Sequence, residues 1–290
     1  MILRETLQSV AQTLRRAGIA DAFVEGELLL GHILGMSKTQ LYTEPERNLT
    51  SVETERLCHL VRRRLDHEPT AYILGRCDFY GTDFCVDTHT FIPRPETELL
   101  VEKAVELVHR ISPRGKQIAI ADIGTGCGAI AVSLALALPQ AKIYATDISA
   151  SALWVAGVNC QRHAVSSQVE LLQGNLLEPL PQPADMIVAN LPYIKDCEFK
   201  DLSPEVVNFE PTIALAGGED GLDKIQQMLA QMPGKLNYGA CFLLEIGQGQ
   251  GGTVTSLIKS HFPEADIELI SDLGGIERVV KVVPMESVQE

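Results

Sequence analysis

The chain has one tryptophan, no run of apolar residues free of glycine that is long enough to cross a membrane, and far too few cations for its acids. Lys and Arg total 24 against 38 Asp and Glu, a formal charge of −14. That balance argues against a protein that holds nucleic acid mainly through its phosphates, because such a grip needs a basic surface. The seven cysteines (58, 77, 85, 127, 160, 197 and 241) form no CxxC and no Cys/His cluster with zinc spacing. An odd, scattered set suits reduced thiols, so a cytoplasmic location and no structural metal are expected. The stretch "MILRETLQSVAQTLRRAG" carries charges in its first five residues and lacks an apolar core, which predicts a helix and not a secretion signal. The nearest approach to a membrane span, uncharged Ile123–Leu138, holds three glycines in its first six residues and reads as a turn entering a helix.

What is present divides in two. Up to Leu74 apolar residues recur at helical spacing in "LQSVAQTLRRAGI", "VEGELLLGHILGM" and "SVETERLCHLVRRRLDH". Gly18 and Gly35 stand where helices stop, and Thr50 or Ser51 could cap the third. The Arg62-Arg63-Arg64 run is expected to be a solvated helix face. "CDFYGTDFCVD" then predicts a hairpin turning about Gly81, Thr82 and Asp83. Beyond it come seven apolar β-like runs: 118–124, 142–148, 169–174, 185–191, 240–247, 266–272 and 277–283. Helical stretches separate the first six, which calls for a doubly wound α/β sheet; the last two are joined by the turn-like "DLGGIE", so the final strand should return antiparallel. The expected parts are a helical domain (1–74), a hairpin linker (75–93) and a catalytic domain (94–290). Acidity lies in the second part, with 10 cations against 12 acids over residues 1–86 and 14 against 26 beyond.

"DIGTGCG" runs from strand to helix through Gly124, Thr125, Gly126, Cys127 and Gly128, where glycines let a ligand approach the backbone. Asp147 ends the next strand. A carboxylate there can accept both hydroxyls of a ribose, although an N-cap for the following helix is the plainer role. The spacing is wrong for NAD enzymes, and the Lys-Ser/Thr of P-loop enzymes is missing. The set D-x-G-x-G-x-G with its strand-terminal Asp resembles class I S-adenosylmethionine (SAM) dependent methyltransferases, whose seven-stranded, Rossmann-like fold ends in an antiparallel strand. The resemblance implies SAM as cofactor and S-adenosylhomocysteine as product, with Gly124–Gly128 cradling the amino acid end. Asn175 would lie near the adenine, where that family commonly has Asp.

"NLPY" (190–193) ends the fourth run. A planar nitrogen is a poor nucleophile because its lone pair is delocalised. Two acceptors, Asn190 Oδ1 and the Leu191 carbonyl, can orient its N–H groups, while Tyr193 packs on its plane and Pro192 stiffens the turn. The tetrapeptide resembles the N/D/S-P-P-Y/F signature of amide and amino methyltransferases, with Leu191 in place of the first proline. It occurs also in ribosomal RNA adenine dimethyltransferases, so alone it does not choose the substrate.

The rest of the chain does. "EPTAYILGRCDFYGTDFCVDTHTFIPRPETELLVE" (68–102), "NFEPTIALAGGEDGLDKI" (208–225), "LLEIGQGQ" (243–250), "SDLGGIERVV" (271–280) and "GELLLGHILG" resemble the PrmC/HemK family. That family methylates the side-chain amide nitrogen of the glutamine in the GGQ motif of class I peptide chain release factors. "RPETE" separates it from the related ribosomal protein L3 glutamine methyltransferases, which typically read R-S-P there. The resemblance implies that Phe91–Glu98 closes over SAM, with Arg94 touching the cofactor or holding the loop. It further implies that Glu210-Pro211 and the "GGEDG" turn frame the mouth, and that the helical domain docks on the factor. Cys127 is expected to be a small filler. A monomer without direct nucleic-acid or membrane contact is expected; an RNA or DNA adenine methyltransferase would want a basic face, and a non-catalytic relative would have lost Asp147 or Asn190.

Overall fold

The structure is a computed structural model that describes residues 1–111 and 117–284; the final six residues of the expected catalytic part lie outside the described residues. The chain forms two compact units, Met1–Arg76 with Ser203–Phe209, and Cys77–Leu202 with Glu210–Glu290.

The first unit holds helices α1 (Leu3–Arg16), α2 (Ala22–Leu34), α3 (Lys38–Thr43), α4 (Ser51–Leu65) and α5 (Thr70–Leu74). Their apolar stripes meet in a core of Leu3, Leu7, Val10, Leu14, Leu29, Leu30, Leu57 and Leu60, among others. Thr50 and Glu53 close a reciprocal capping box at the start of α4, and Gly35 ends α2 in the left-handed conformation. The run of three arginines is not uniformly solvated. Arg64 is only 2% exposed. Its guanidinium pairs with Glu25, which also accepts from the Thr70 hydroxyl at 2.9 Å, and with Glu205 at 2.5 Å. A helix repeat shows that three adjacent arginines must spread around the axis, but not which of them finds carboxylates inside.

The second unit opens with the hairpin strands β1 (Arg76–Phe79), whose first residue still counts to the first unit, and β2 (Thr82–Cys85). The turn is the dipeptide Tyr80-Gly81, both at positive φ, so Thr82 and Asp83 belong to the strand and not to the turn. After helix α6 (Glu98–Ile111) come β3 (Ala119–Ile123), α7 (Ala129–Ala137), β4 (Lys142–Asp147), α8 (Ala150–Arg162), β5 (Val169–Gln173) and β6 (Ala184–Ala189). A small parallel pair, β7 (Ile194–Lys195) and β8 (Ala216–Gly218), flanks α9 (Pro204–Phe209), which counts to the first unit. The chain ends with α10 (Asp223–Gln231), β9 (Leu236–Glu245), α11 (Gly251–His261), β10 (Asp266–Ser271) and β11 (Glu277–Val283).

Seven strands form one sheet in the order β10-β11-β9-β6-β3-β4-β5. The final strand runs antiparallel to both neighbours and lies between β9 and β10. The central strands are apolar throughout because helices cover both faces, and Ile120, Ile123, Ile143, Met186, Ile187, Phe242 and Leu243 are all fully buried. Parallel register pairs Ile123 with Thr146 and with Ala189, and Ala189 with Leu244. The next residue on each strand therefore falls in one row across the sheet: Asp147, Gly124, Asn190 and Glu245.

Arg64→Met removes the one cation between two carboxylates inside the first unit and should destabilise the protein by about 3 kcal/mol. Urea unfolding followed by circular dichroism reads this as a lower midpoint; an unchanged midpoint would show that the triad is solvated in solution.

Candidate active site

At the carboxyl ends of β3, β4 and β6 lies a cavity lined by Gly124–Cys127, Asp147, Asn175 and Asn190–Tyr193, together with Phe91, Thr97, Pro211 and Ile213–Leu215. The glycine loop is held down at its start, where the Gly124 and Thr125 N–H groups both donate to Thr146 O at 2.9 Å. Gly124 and Gly126 have positive φ, and a Cβ at Gly126 would meet nothing within 4 Å, so the backbone there borders open space. Gly128 does not line the cavity. A Cβ on it would lie 3.1 Å from Ala156 Cβ, and its place is to let α7 and α8 approach. Cys127 is buried, and burial pushes its thiol well above the ordinary range, which leaves it a filler.

Asp147 turns one carboxylate oxygen to the Gly126 N–H (2.9 Å) and the other to the Ser149 N–H (2.8 Å). The helix cap is Ser149 itself, whose hydroxyl accepts from Ala152 N. Asp147 is thus not the cap, and each of its oxygens keeps a lone pair for a ligand. Burial raises its pKa, while the Ser149, Gly126 and Ile148 N–H groups oppose the rise. Asn175 Nδ2 donates to Glu178 at 3.1 Å. Ile148, beside Asp147, is exposed into the cavity and offers an apolar face there that the sequence reading did not single out.

This arrangement suits a nucleoside carrying an amino acid chain: a carboxylate for the hydroxyls, an apolar face for the base, and a glycine-lined notch for the chain.

Asn190 donates from Nδ2 to Thr97 Oγ1 at 3.1 Å, which leaves Oδ1 as its remaining acceptor. Leu191 is buried against the glycine loop, its Cδ2 3.3 Å from where a Gly124 Cβ would sit. Tyr193 is held from both ends. Its hydroxyl donates to Glu245 Oε1 at 3.3 Å, and its backbone carbonyl accepts from Gln250 Nε2 at 3.2 Å. Gln250 also donates to Gly221 O and accepts from Gly247 N. Side chains at Gly217, Gly221 or Gly247 would collide with Tyr193 or Gln250, so these glycines are required by close packing. Nothing in the sequence alone marks Thr97, Glu245 or Gln250 for a role here.

Arg94 does not line the cavity. It pairs with buried Glu210 and lies 4.6 Å above the Phe91 ring, while Glu210 also accepts from Ile92 N at 3.2 Å. The Glu210 carboxylate thus holds the guanidinium in place beside the Phe91 loop. Behind the glycine loop Asp122 is fully buried, accepting from Thr125 Oγ1 (2.6 Å) and Ala131 N (3.1 Å). Burial raises its pKa to about 7, the two donors oppose the rise, and the Asp147 charge adds to it. Among the described residues no cluster of His, Cys, Asp or Glu could hold a metal, and no helix is long and apolar enough to cross a membrane.

Because the folded pKa of Asp122 lies above its ordinary 3.8, the stability it contributes is complete below pH 3.8 and is lost as pH rises through about 7. Asp122→Asn escapes that loss. Its melting temperature should gain on the parent chain between pH 4 and 7 and then run parallel; a difference that stays flat with pH would show that Asp122 titrates normally.

Comparison with known proteins places residues 5–75 in the PrmC N-terminal domain and residues 97–208 in the methyltransferase small domain. Release factor glutamine methyltransferase of Koribacter versatilis is 38% identical over 282 residues, covering 97% of this chain and 98% of that protein. The Gloeobacter violaceus protein of the same name is 39% identical over 272 residues, covering 93% of both. Among solved structures, a Pyrococcus furiosus methyltransferase matches with a TM-score of 0.51 at 18% identity, covering 71% of this chain and 90% of that one. The N-terminal domain of human METTL16 in complex with SAH matches with 0.51 at 15% identity, covering 89% and 94%. At those identities the structural matches speak for the fold alone.

Proposed function

Because the chain belongs to the release factor glutamine methyltransferase family, matched over nearly its full length, we propose that Asn190–Tyr193 hold the accepting amide while the Gly124–Cys127 backbone, Asp147 and Asn175 hold the methyl donor. The chain is a SAM-dependent methyltransferase whose acceptor is a glutamine of a peptide chain release factor. The acceptor atom in this proposal is the side-chain nitrogen of the GGQ glutamine of class I factors. When bound, SAM supplies an electrophilic methyl group and leaves as S-adenosylhomocysteine.

The observation that carries the reading is the commitment of Asn190 Nδ2 to Thr97, in a cavity it shares with the glycine loop. That leaves Oδ1 to accept one amide N–H. The Leu191 carbonyl, at the strand's carboxyl end, accepts the other. Two fixed acceptors align the nitrogen lone pair out of the amide plane, so their hydrogen bonds strengthen as the nitrogen becomes pyramidal and acidic. Tyr193 contributes its ring face and not a proton, since burial raises its phenol far above neutrality. Asp147 accepts the ribose hydroxyls with its remaining lone pairs, and the exposed Ile148 covers one base face.

The helical part, residues 1–74, docks the factor in this proposal, and the acidic part attracts the basic surroundings of a GGQ loop during encounter. In this proposal the protein works as a monomer and in the cytoplasm, the latter supported by its seven free thiols, which suit a reducing compartment.

Mass spectrometry of a class I release factor incubated with the enzyme and SAM should show one methyl group on the GGQ glutamine. Label found in RNA, or on another residue, would overturn the assignment. Asn190→Ala should slow single-turnover transfer by about 10²–10³-fold at saturating SAM and factor. Asp147→Ala, by contrast, should act on SAM affinity, weakening it by about 1.5–3 kcal/mol in titration calorimetry. Unchanged affinity would remove Asp147 from the cofactor site.

A further inference from the structure

Helix α8 reaches the glycine loop with one buried amide. Asn159 is fully buried and outside the cavity lining, and its hydrogen bonds all go to backbone. Oδ1 accepts from Cys85 N at 2.8 Å, while Nδ2 donates to Cys85 O at 2.9 Å and to Cys127 O at 2.8 Å. These partners fix the amide's orientation. Half a turn about its last side-chain bond would set the oxygen against two carbonyl oxygens and the nitrogen against an N–H.

Both segments that Asn159 joins lead into the cavity lining. Cys127 belongs to the glycine loop, and the chain leaving Cys85 at the end of β2 supplies His89, Thr90, Phe91 and Pro93. The two attachments depend on Asn159 unequally. The hairpin has other holds on the end of α8: Arg162 pairs with Asp83 and reaches Cys85 Sγ at 3.1 Å, His163 Nε2 lies 2.9 Å from Asp83 O, and the Phe84 and His163 ring centroids are 5.4 Å apart. The loop has less. The Cys127–Gly128 peptide is held at its carbonyl by Asn159 and at its N–H by Thr125 O, 2.8 Å away. Without Asn159 the remaining hydrogen bond on that peptide is internal to the loop.

We propose that Asn159 is a positioning residue for the methyl donor, holding the Cys127 carbonyl against α8 so that the glycine loop has its receiving shape before SAM arrives. This rests on the reading that the loop cradles SAM. With glycine at 126 and 128 the loop's own residues restrain it little. A loop that samples other shapes must be ordered when the cofactor binds, which lowers affinity; one already tied to a helix is preorganised. Asn159 touches no ligand, so its effect belongs to cofactor capture more than to the transfer step. Linkage makes that effect reciprocal. If the Asn159–Cys127 bond strengthens SAM binding by some factor, SAM strengthens the bond by the same factor.

The test uses the full chain. Asn159→Ala should raise both the Kd of SAM in calorimetry and the KM for SAM by about tenfold, the worth of one buried hydrogen bond. Its kcat should fall by about threefold or less, because bound cofactor then orders the loop. Val155, 2% exposed on the same helix, provides the control for lost packing. Val155→Ala should lower the melting temperature and yet keep the Kd of SAM within about twofold. A further readout needs no substitution in the protein measured. Saturating SAM should slow exchange of the Asn159 side-chain amide protons with water by about tenfold in NMR, beyond any change at the Val155 backbone amide.

The proposal is overturned by an unchanged Kd in folded Asn159→Ala, by an equal loss of affinity in Val155→Ala, or by a fall in kcat as large as the rise in Kd. If Asn159→Ala does not fold, the exchange measurement decides, and Asn159 protons indifferent to SAM overturn it. Asp147→Ala separates the two readings. Unchanged SAM affinity in that variant removes the cofactor site itself; weakened affinity there with none lost in Asn159→Ala removes only the role of Asn159.

Discussion

Parallel strand register is the constraint on which the site depends. Ile123, Thr146, Ala189 and Leu244 are paired across β4, β3, β6 and β9, so the four strands reach their carboxyl ends together. One residue further, each strand delivers a group with a different competence: a carboxylate, a glycine, an amide and a buried carboxyl. A slip of one residue would exchange inward and outward side chains along a whole strand, and the core on both faces forbids it. Packing of residues such as Ile187 and Leu243, remote from any ligand, therefore sets the spacing of the chemistry.

Glycines then allow closure around that row. Tyr193 carries a ring and a backbone carbonyl that are both fixed, and three segments approach it more closely than side chains would permit. A Cβ at Gly221 would lie 2.4 Å from Tyr193 O, and one at Gly217 would lie 2.8 Å from Tyr193 Cα. Gln250 fills the remaining space with three hydrogen bonds to backbone. The tetrapeptide is thereby a rigid wall and not a loop tip, which is what orientation of a weak nucleophile requires.

The order of strands and helices was legible because buried strands and amphipathic helices have different apolar periods, and the last strand's reversal followed from a turn too short for a crossover. The β7–β8 pair and α9 were not, being too short to show a period. The hairpin turn begins a residue earlier than composition indicates, since Tyr80 adopts positive φ without being a residue type that announces it. In the site, Gly124, Asp147 and Asn190 stood at strand ends and could be read there. Thr97, Glu245 and Gln250 could not: each matters through a neighbour supplied by another strand or loop, and no single stretch contains both partners. Arg64 illustrates the same limit, as its burial depends on carboxylates 39 and 141 residues away.

The second of those separations bears on how the protein emerges from the ribosome. The helical unit is encoded first, yet Glu205 and the α9 segment reach it only after 141 further residues have been added beyond Arg64. At about 5–20 residues per second that interval is roughly 7–28 s. Throughout it Arg64 lacks one of its two carboxylates, and the surface that will receive α9 stays bare while the sheet's first strands are being made. The nascent helical unit is thus an unfinished body on the timescale of translation, and a chaperone that shields such surfaces would meet it before its own C-terminal piece does.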